Sequence, residues 1–107
     1  MNDKKSIVKL QNWLDNKSDK IQEFSENGHL ISDPTRVKIL LLLSKHKELC
    51  VTDLANVLGI SISAVSHQLS KLERLRMVTS VKDGKTVCYY FGAKNKKLET
   101  LLKFNNL

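Results

Sequence analysis

The chain lacks the features that mark secreted, membrane-spanning and disordered proteins. Its 107 residues include two cysteines, too few for a disulfide framework, so a reducing cytosol is the expected compartment. The longest apolar run, residues 39–43, is far too short to cross a membrane, and the first 30 residues hold no secretory signal. At 41% hydrophobic and 27% charged residues, the composition argues against disorder. We therefore expect one small cytoplasmic domain with no membrane partner.

Acidic residues are scarce in the second half of the chain. The overall net charge is +7, and residues 61–107 hold nine basic side chains against three acidic ones. Residues 1–60 are nearly balanced, with nine basic and eight acidic side chains. A basic excess confined to one half is typical of a surface that binds a polyanion such as nucleic acid. Solvated lysines produce the same excess in many proteins, so charge alone leaves both interpretations open.

The apolar pattern predicts helices along the first half of the chain. Residues 1–18 are expected to form an N-terminal helical extension ahead of a domain that spans residues 19–107. Asp33-Pro34 is a strong helix start, because Asp33 can cap the helix and proline is favoured at the first helical position. The helix that follows is apolar nearly all round, which predicts that it lies at the centre of the core.

Two short helices and a hairpin are predicted next. Thr52 is expected to cap the first helix and Ser61 the second, and the short glycine-containing turn between them is typical of a helix-turn-helix. Asp83-Gly84 predicts a two-residue hairpin over residues 78–91, and a last helix is expected over residues 94–103. The predicted fold class is therefore mainly α (α+β), a winged helix-turn-helix with a two-stranded β-hairpin wing.

The second helix of this pair, expected over residues 61–75, has two contrasting faces. At about 100° per residue, Val65, Leu69, Leu72 and Ile62 form an apolar stripe that should face the core. The opposite face holds hydroxyls, one imidazole and two cations but no carboxylate, whereas an ordinary solvated face mixes glutamate with lysine. Small hydroxyls can enter a DNA groove and cations can neutralise phosphates. The residues of this face that we expect to contact DNA are Ser63, Ser66, His67, Ser70, Lys71 and Arg74.

The hairpin offers two further cations. Lys82 and Lys85 are expected to flank the turn, within reach of DNA phosphates, although lysines at a hairpin tip also protect an edge strand from aggregation. The alternation of side chains predicts that Tyr89 faces the domain and that Cys88 lies on the outer face of the hairpin.

The sequence offers little to support catalysis. It has no glycine-rich phosphate loop, no nucleophile elbow and no metal-hydrolase spacing. Ser66 and His67 are adjacent in a helix and point about 100° apart, which does not make a nucleophile–base pair. We expect no catalytic residues and no cofactor. The alternative to DNA binding is a winged-helix module for protein–protein contacts, a class that usually lacks a cationic, carboxylate-free recognition face.

Three stretches of the sequence closely resemble the ArsR/SmtB family of winged-helix transcriptional repressors. They are DPTRVKILLLL from Asp33, ELCVTDLANVLGISISAVSHQLSKLERLRMV from Glu48, and DGKTVCYYF from Asp83. The resemblance implies a homodimer, held by flanking helices, that binds an inverted-repeat operator in double-stranded DNA and is released by a metal ion or another inducer. It maps the family's DNA contacts onto Ser61, Ser63, Ser66 and His67. Ile62 departs from the pattern, because many relatives carry glutamine there.

The resemblance does not identify the inducer. Metal-sensing relatives often carry two cysteines in the element that reads ELCVTDL here, but Thr52 replaces the second. Another family site needs aspartate and histidine on the last helix, and residues 94–107 contain neither. We therefore expect no complete family metal site and leave the inducer unknown. A thiol-based redox response that uses Cys50 and Cys88 remains an alternative. It requires the two cysteines to lie close together, which the sequence does not establish.

Overall fold

The computed structural model describes residues 3–26, 33–46, 48–92, 103 and 107. In these ranges, five helices and three strands follow one another along the chain. They are α1 (Lys4–Asp15), α2 (Ser18–Glu26), α3 (Pro34–Lys45), β1 (Leu49–Cys50), α4 (Val51–Leu58), α5 (Ile62–Arg74), β2 (Val78–Asp83) and β3 (Thr86–Phe91). The order confirms the predicted winged helix-turn-helix, in which α4 and α5 are the paired helices and β2 and β3 form the wing.

Helix α3 lies at the centre of the core, as its apolar sequence predicts. The Asp33 side chain accepts a hydrogen bond from the Thr35 N–H at 2.8 Å, and Pro34 occupies the first helical position. Six apolar side chains of α3 are each at most 2% exposed, which requires neighbours on nearly every side. The six are Val37, Ile39, Leu40, Leu41, Leu42 and Leu43.

The first two helices cover part of this core. Helix α1 buries Leu10 and Leu14, and α2 buries Ile21 and Phe24. On α1, the Gln11 amide donates to the backbone carbonyl of Asn56, 3.1 Å away on α4. The first helix is therefore docked on the helix-turn-helix. The domain boundary placed between residues 18 and 19 stays a prediction.

The helix-turn-helix differs from the prediction at one cap. Residue Cys50, not Thr52, is the N-cap of α4, and the Asp53 carboxylate accepts a hydrogen bond from the Cys50 N–H at 3.2 Å. Thr52 therefore lies inside the first turn, because the carboxylate three residues after Cys50 satisfies the backbone at the earlier position. At the other end of α4, Gly59 has a φ of +66°, a left-handed conformation that glycine adopts at low cost.

The sheet has three strands rather than the two of the predicted wing. Strand β3 lies in the middle, with β2 on one side and the two-residue β1 on the other, and both pairings are antiparallel. Asp83 pairs with Thr86, so the two turn residues are Gly84 and Lys85 rather than Asp83 and Gly84. Gly84 has a φ of +64°, and a type II′ turn requires a positive φ at the first turn position.

Several predictions fall outside the described residues. The last helix over residues 94–103 is one of them, apart from Lys103, which is helical and exposed. Near the end of the chain, the Lys17 ammonium donates to the Leu107 carbonyl at 3.5 Å. Among the helices that the structure describes, none combines the length and the apolar character that a membrane crossing requires.

Candidate nucleic-acid interface

Helix α5 presents the two faces that its sequence predicts. Val65, Leu69 and Leu72 are fully buried against the core. The predicted contact residues of the opposite face all retain access to solvent, although Ser66 and Lys71 are half-buried. The exposed members are Ser61, Ser63, His67, Ser70 and Arg74. The arrangement places hydroxyls and an imidazole toward the start of the helix and cations toward its end.

The first turn of α5 corrects one prediction. Ile62 was expected on the core stripe, but its side chain is 54% exposed. The buried residues of α5 begin at Val65, so the first turn extends past the elements that cover the rest of the helix. A large apolar side chain thus lies beside the hydroxyls of the outer face. The Ser61 hydroxyl oxygen caps this turn by accepting a hydrogen bond from the Ala64 N–H at 3.1 Å.

A side-chain network that the sequence analysis missed fixes α5 against α3. The Arg36 guanidinium donates to the Gln68 side-chain oxygen at 2.9 Å, and the Gln68 amide donates to the Asp33 carboxylate at 3.4 Å. All three side chains are partly buried. The residue that caps α3 therefore also orients the face of α5 that points outward. Since the partners are 32 and 35 residues apart in the sequence, no local pattern could have revealed them.

The one carboxylate of α5 is engaged by the wing. The Ser80 hydroxyl of β2 donates to a Glu73 carboxylate oxygen at 2.7 Å, which connects the end of α5 to the hairpin. Glu73 also acts on the neighbouring strand, because burial and the nearby negative charge together raise the pKa of Tyr89 above its usual value of 10.0. The acidic side chain is thus held beside the wing, and the outer face of α5 stays free of negative charge.

One wing lysine, Lys85, and the start of α5 border the same cleft. Lys82 at the end of β2 and Lys85 in the turn are both exposed, as predicted. A cleft of about 370 Å³ separates the wing from the first turns of α4 and α5. Of the predicted DNA-contact residues, it brings together Ser66 and Lys85. Its lining residues are Cys50, Val51, Thr52, Ile62, Ser66, Lys85, Thr86 and Val87.

The two cysteines meet at the edge of this cleft. Cys88 was expected on the outer face of a two-stranded hairpin, but β1 pairs beside β3 with Cys50 opposite Cys88, and Cys88 is only 8% exposed. Cys50 pairs directly with Cys88 across the β1–β3 ladder, and the two are joined by a disulfide with Cα atoms 3.7 Å apart. The alternative that places a reactive thiol pair at these residues therefore has the proximity that it requires.

The histidine, cysteine and acidic side chains of the described residues do not form a metal-ligand cluster. Within residues 3–26, 33–46 and 48–92, no group of three or more histidine, cysteine, aspartate or glutamate side chains could hold an ion. His46, four residues before Cys50, instead places its Nδ1 atom 3.2 Å from the Glu48 carbonyl oxygen. His29 lies outside the described residues.

Comparisons with known sequences agree with this geometry. A family profile described as "Bacterial regulatory protein, arsR family" matches residues 33–80. The cadmium resistance transcriptional regulatory protein CadC of Listeria innocua is 42% identical over 74 residues. The alignment covers 69% of this chain and 60% of that protein, so the chain matches less than two thirds of its relative's length.

Solved structures show the same architecture. Reduced HlyU from Vibrio cholerae has a TM-score of 0.57 and 28% identity, over 83% of this chain and 90% of that chain. The adhesin competence repressor AdcR from Streptococcus pyogenes has a TM-score of 0.59 and 30% identity, over 91% of this chain and 79% of that chain. The matching family profile, over residues 33–80, covers α3, α4 and α5 and therefore both helices of the helix-turn-helix.

Proposed function

Because this chain belongs to the arsR family of bacterial regulatory proteins, a non-enzymatic family of transcriptional repressors, we propose that it binds an inverted-repeat operator as a homodimer. Helix α5 enters the major groove, and an unidentified inducer releases the protein. Two copies related by a two-fold axis would place their α5 helices one DNA turn apart, about 34–36 Å. The flanking helices, α1 and the predicted helix over residues 94–103, are the proposed dimer contacts.

The outer face of α5 is the observation that supports DNA binding most strongly. It combines exposed hydroxyls, an imidazole and two cations, while the helix's single carboxylate is hydrogen-bonded to the wing. Near the start of the helix, Ser61, Ser63, Ser66 and His67 are proposed to contact base edges, which hydroxyl and imidazole groups can read. Toward its end, Ser70, Lys71 and Arg74 are proposed to contact phosphates, which position the protein without reading sequence.

Ile62 adds an apolar contact to this proposal. Its exposed side chain lies in the first turn of α5 and lines the cleft together with Ser66. The N-terminal residues of a recognition helix are those that contact base edges. In the major groove, the one apolar group that a base presents is the C5-methyl of thymine. Ile62 therefore favours operators with thymine at the base pair that it faces, in place of the polar contact that glutamine would make.

The wing is proposed to contact the DNA backbone beside the major groove. Lys82 and Lys85 are exposed at and next to the turn, where no carboxylate except Asp83 lies close in sequence. Each lysine that neutralises one phosphate releases condensed counterions, so its contribution depends on salt. These contacts raise the affinity for every duplex rather than for one sequence.

A selected-duplex binding experiment tests the proposal. The reduced protein would select ligands from a random-sequence DNA pool, and fluorescence anisotropy would then compare the selected duplex with a random one. A sequence-specific repressor binds the selected duplex about 10³-fold or more tightly. Equal affinity for the two duplexes, or no binding at 50 mM salt, would rule out operator recognition and favour a protein-contact module.

One substitution tests the assignment of base contacts. Ser66→Ala should reduce the discrimination between selected and random duplexes, because the lost hydroxyl no longer contacts a base edge. Ser18→Ala, at an exposed position on α2, is the matched control and should leave discrimination unchanged. If Ser66→Ala lowers the affinity for both duplexes equally, Ser66 does not contact a base edge.

A further inference from the structure

The Cys50–Cys88 pair connects the parts of the interface that must fit DNA together. Cys50 ends β1 and caps α4, and Cys88 lies in the middle of β3. The bridge closes a loop over a sequence separation of 38, and every predicted DNA-contact residue, from Ser61 to Lys85, lies inside that loop. We propose that this pair is a reversible thiol–disulfide modification site, whose oxidation narrows the cleft and lowers the affinity for DNA.

The cleft gives a small molecule access to Cys50 but not to Cys88. Cys50 is half-buried and lines the cleft, whereas Cys88 is 8% exposed and is not among the lining residues. A volume of about 370 Å³ lies in the range of clefts that admit small molecules. The reagent that this geometry accepts is therefore a low-molecular-weight thiol or disulfide, and it reacts first at Cys50.

Thiol–disulfide exchange at this pair needs no co-reactant other than the small thiol or disulfide. In reduction, the thiolate of a small dithiol attacks Cys50 Sγ, the Cys50–Cys88 bond breaks, and Cys88 leaves as a thiolate that takes up a proton. The second thiol of the reagent then displaces Cys50, and the reagent leaves as its own disulfide. Two electrons and two protons pass to the protein. In oxidation, the Cys50 thiolate attacks a small disulfide, and Cys88 then displaces the second small thiol.

The Cys50–Cys88 disulfide directly affects the width of the cleft. The disulfide joins β1, which leads into α4, directly to β3 of the wing. The residues next to each cysteine form the cleft walls: Val51 and Thr52 on α4, Thr86 and Val87 on β3. Reduction removes this covalent link and pushes the two sulfur atoms apart, because two thiols cannot approach closer than van der Waals contact. The wing then moves away from α4, and the cleft opens.

The direction of the effect follows from what borders the cleft. Ser66 and Lys85, both proposed DNA contacts, line it from opposite sides. A wider cleft admits the duplex between the recognition helix and the wing turn, so the reduced protein binds more tightly. In the reducing cytosol that the sequence predicts, disulfides are usually transient and redox-sensing, and the dithiol form would be the resting repressor. This inference rests on the proposed DNA-binding function.

The test compares both redox forms of the whole chain on the same DNA. The probes are a duplex selected by the reduced protein from a random pool and a random duplex of equal length. The protein is reduced with dithiothreitol or oxidised with glutathione disulfide, and mass spectrometry after thiol alkylation confirms each state. We expect the oxidised form to bind the selected duplex at least fivefold more weakly. Affinities within twofold of each other, or tighter binding after oxidation, would overturn the proposal.

Serine variants and a DNA-free readout separate the possible failures. The Cys50→Ser/Cys88→Ser double variant should bind like the reduced wild type whether or not oxidant is present, and an oxidant response in it would contradict the assignment. Hydrogen exchange without DNA should show faster exchange over residues 86–91 in the reduced wild type. Absence of DNA binding in both redox forms would refute the proposed function, whereas equal binding by the two forms would refute this inference alone.

Discussion

Helices α3 and α5 have nearly the same length, 12 and 13 residues, but opposite environments. In α3 six side chains are at most 2% exposed, whereas α5 buries three and exposes most of the others. The two helices touch, and the Arg36–Gln68 hydrogen bond joins them. The two helices therefore have different roles. Helix α3 supplies stability through burial, whereas α5 leaves its outer face free for recognition.

If the two helices have these separate roles, substitutions on them should have different effects. Changes on α3 should alter the free energy of unfolding and leave the DNA affinity of the folded protein unchanged. Changes on the outer face of α5 should do the reverse.

The largest effect is expected for Leu40→Ala on α3. Leu40 is fully buried, and truncating a buried leucine costs about 2–5 kcal/mol in the free energy of unfolding, since it loses apolar burial and leaves a cavity. Ile62→Ala on α5 is the matched control, because an exposed apolar side chain contributes within about 0.5 kcal/mol. Urea unfolding measures both. Similar losses for the two variants would break the division between the helices.

An intermediate effect, on DNA affinity alone, is expected for Arg74→Ala. Loss of one phosphate contact reduces the slope of log affinity against log salt by about 0.9 and weakens binding to all duplexes. Lys20→Ala, an exposed cation on α2, removes the same charge far from the recognition face. Anisotropy titrations at several salt concentrations give both slopes. An unchanged slope for Arg74→Ala would argue against a phosphate contact, and equal changes would indicate a general charge effect.

A smaller effect is expected when the DNA, rather than the protein, is changed. Uracil in place of thymine removes one methyl group, and at about 0.8 kcal/mol per buried carbon the wild type should lose about fourfold in affinity at the base that Ile62 faces. Ile62→Gln should show no such loss, since its amide gains nothing from the methyl. Replacing each thymine of the selected duplex in turn locates the position. If no replacement changes the affinity of the wild type, the proposed contact between Ile62 and a thymine methyl is excluded.

Local signals explain which parts of the structure could be predicted from sequence. The start of α3 at Asp33-Pro34 and the cap of α5 at Ser61 depend on a few adjacent residues, and both predictions are confirmed. The exposure of Ile62 was missed because a helical wheel gives direction but not how far the neighbouring elements extend. The β1–β3 pairing and the cysteine contact join residues at least 38 apart, and only the folded chain shows which of them meet.

The smallest effect concerns the boundary between the two regions, where the wing packs beside the end of α5. Burial, with the Glu73 charge nearby, raises the pKa of Tyr89, so the folded protein keeps the phenol proton after the unfolded chain has lost it. The unfolded state then binds fewer protons, and the free energy of unfolding falls as pH rises above about 10. Tyr89→Phe should lose less stability than wild type between pH 9 and 11 in urea unfolding. Tyr90→Phe, which keeps Tyr89, should follow wild type. Identical pH profiles for wild type and Tyr89→Phe would mean that the phenol is as well solvated in the folded protein as in the unfolded chain, and that the junction between α5 and the wing is looser than its contacts indicate.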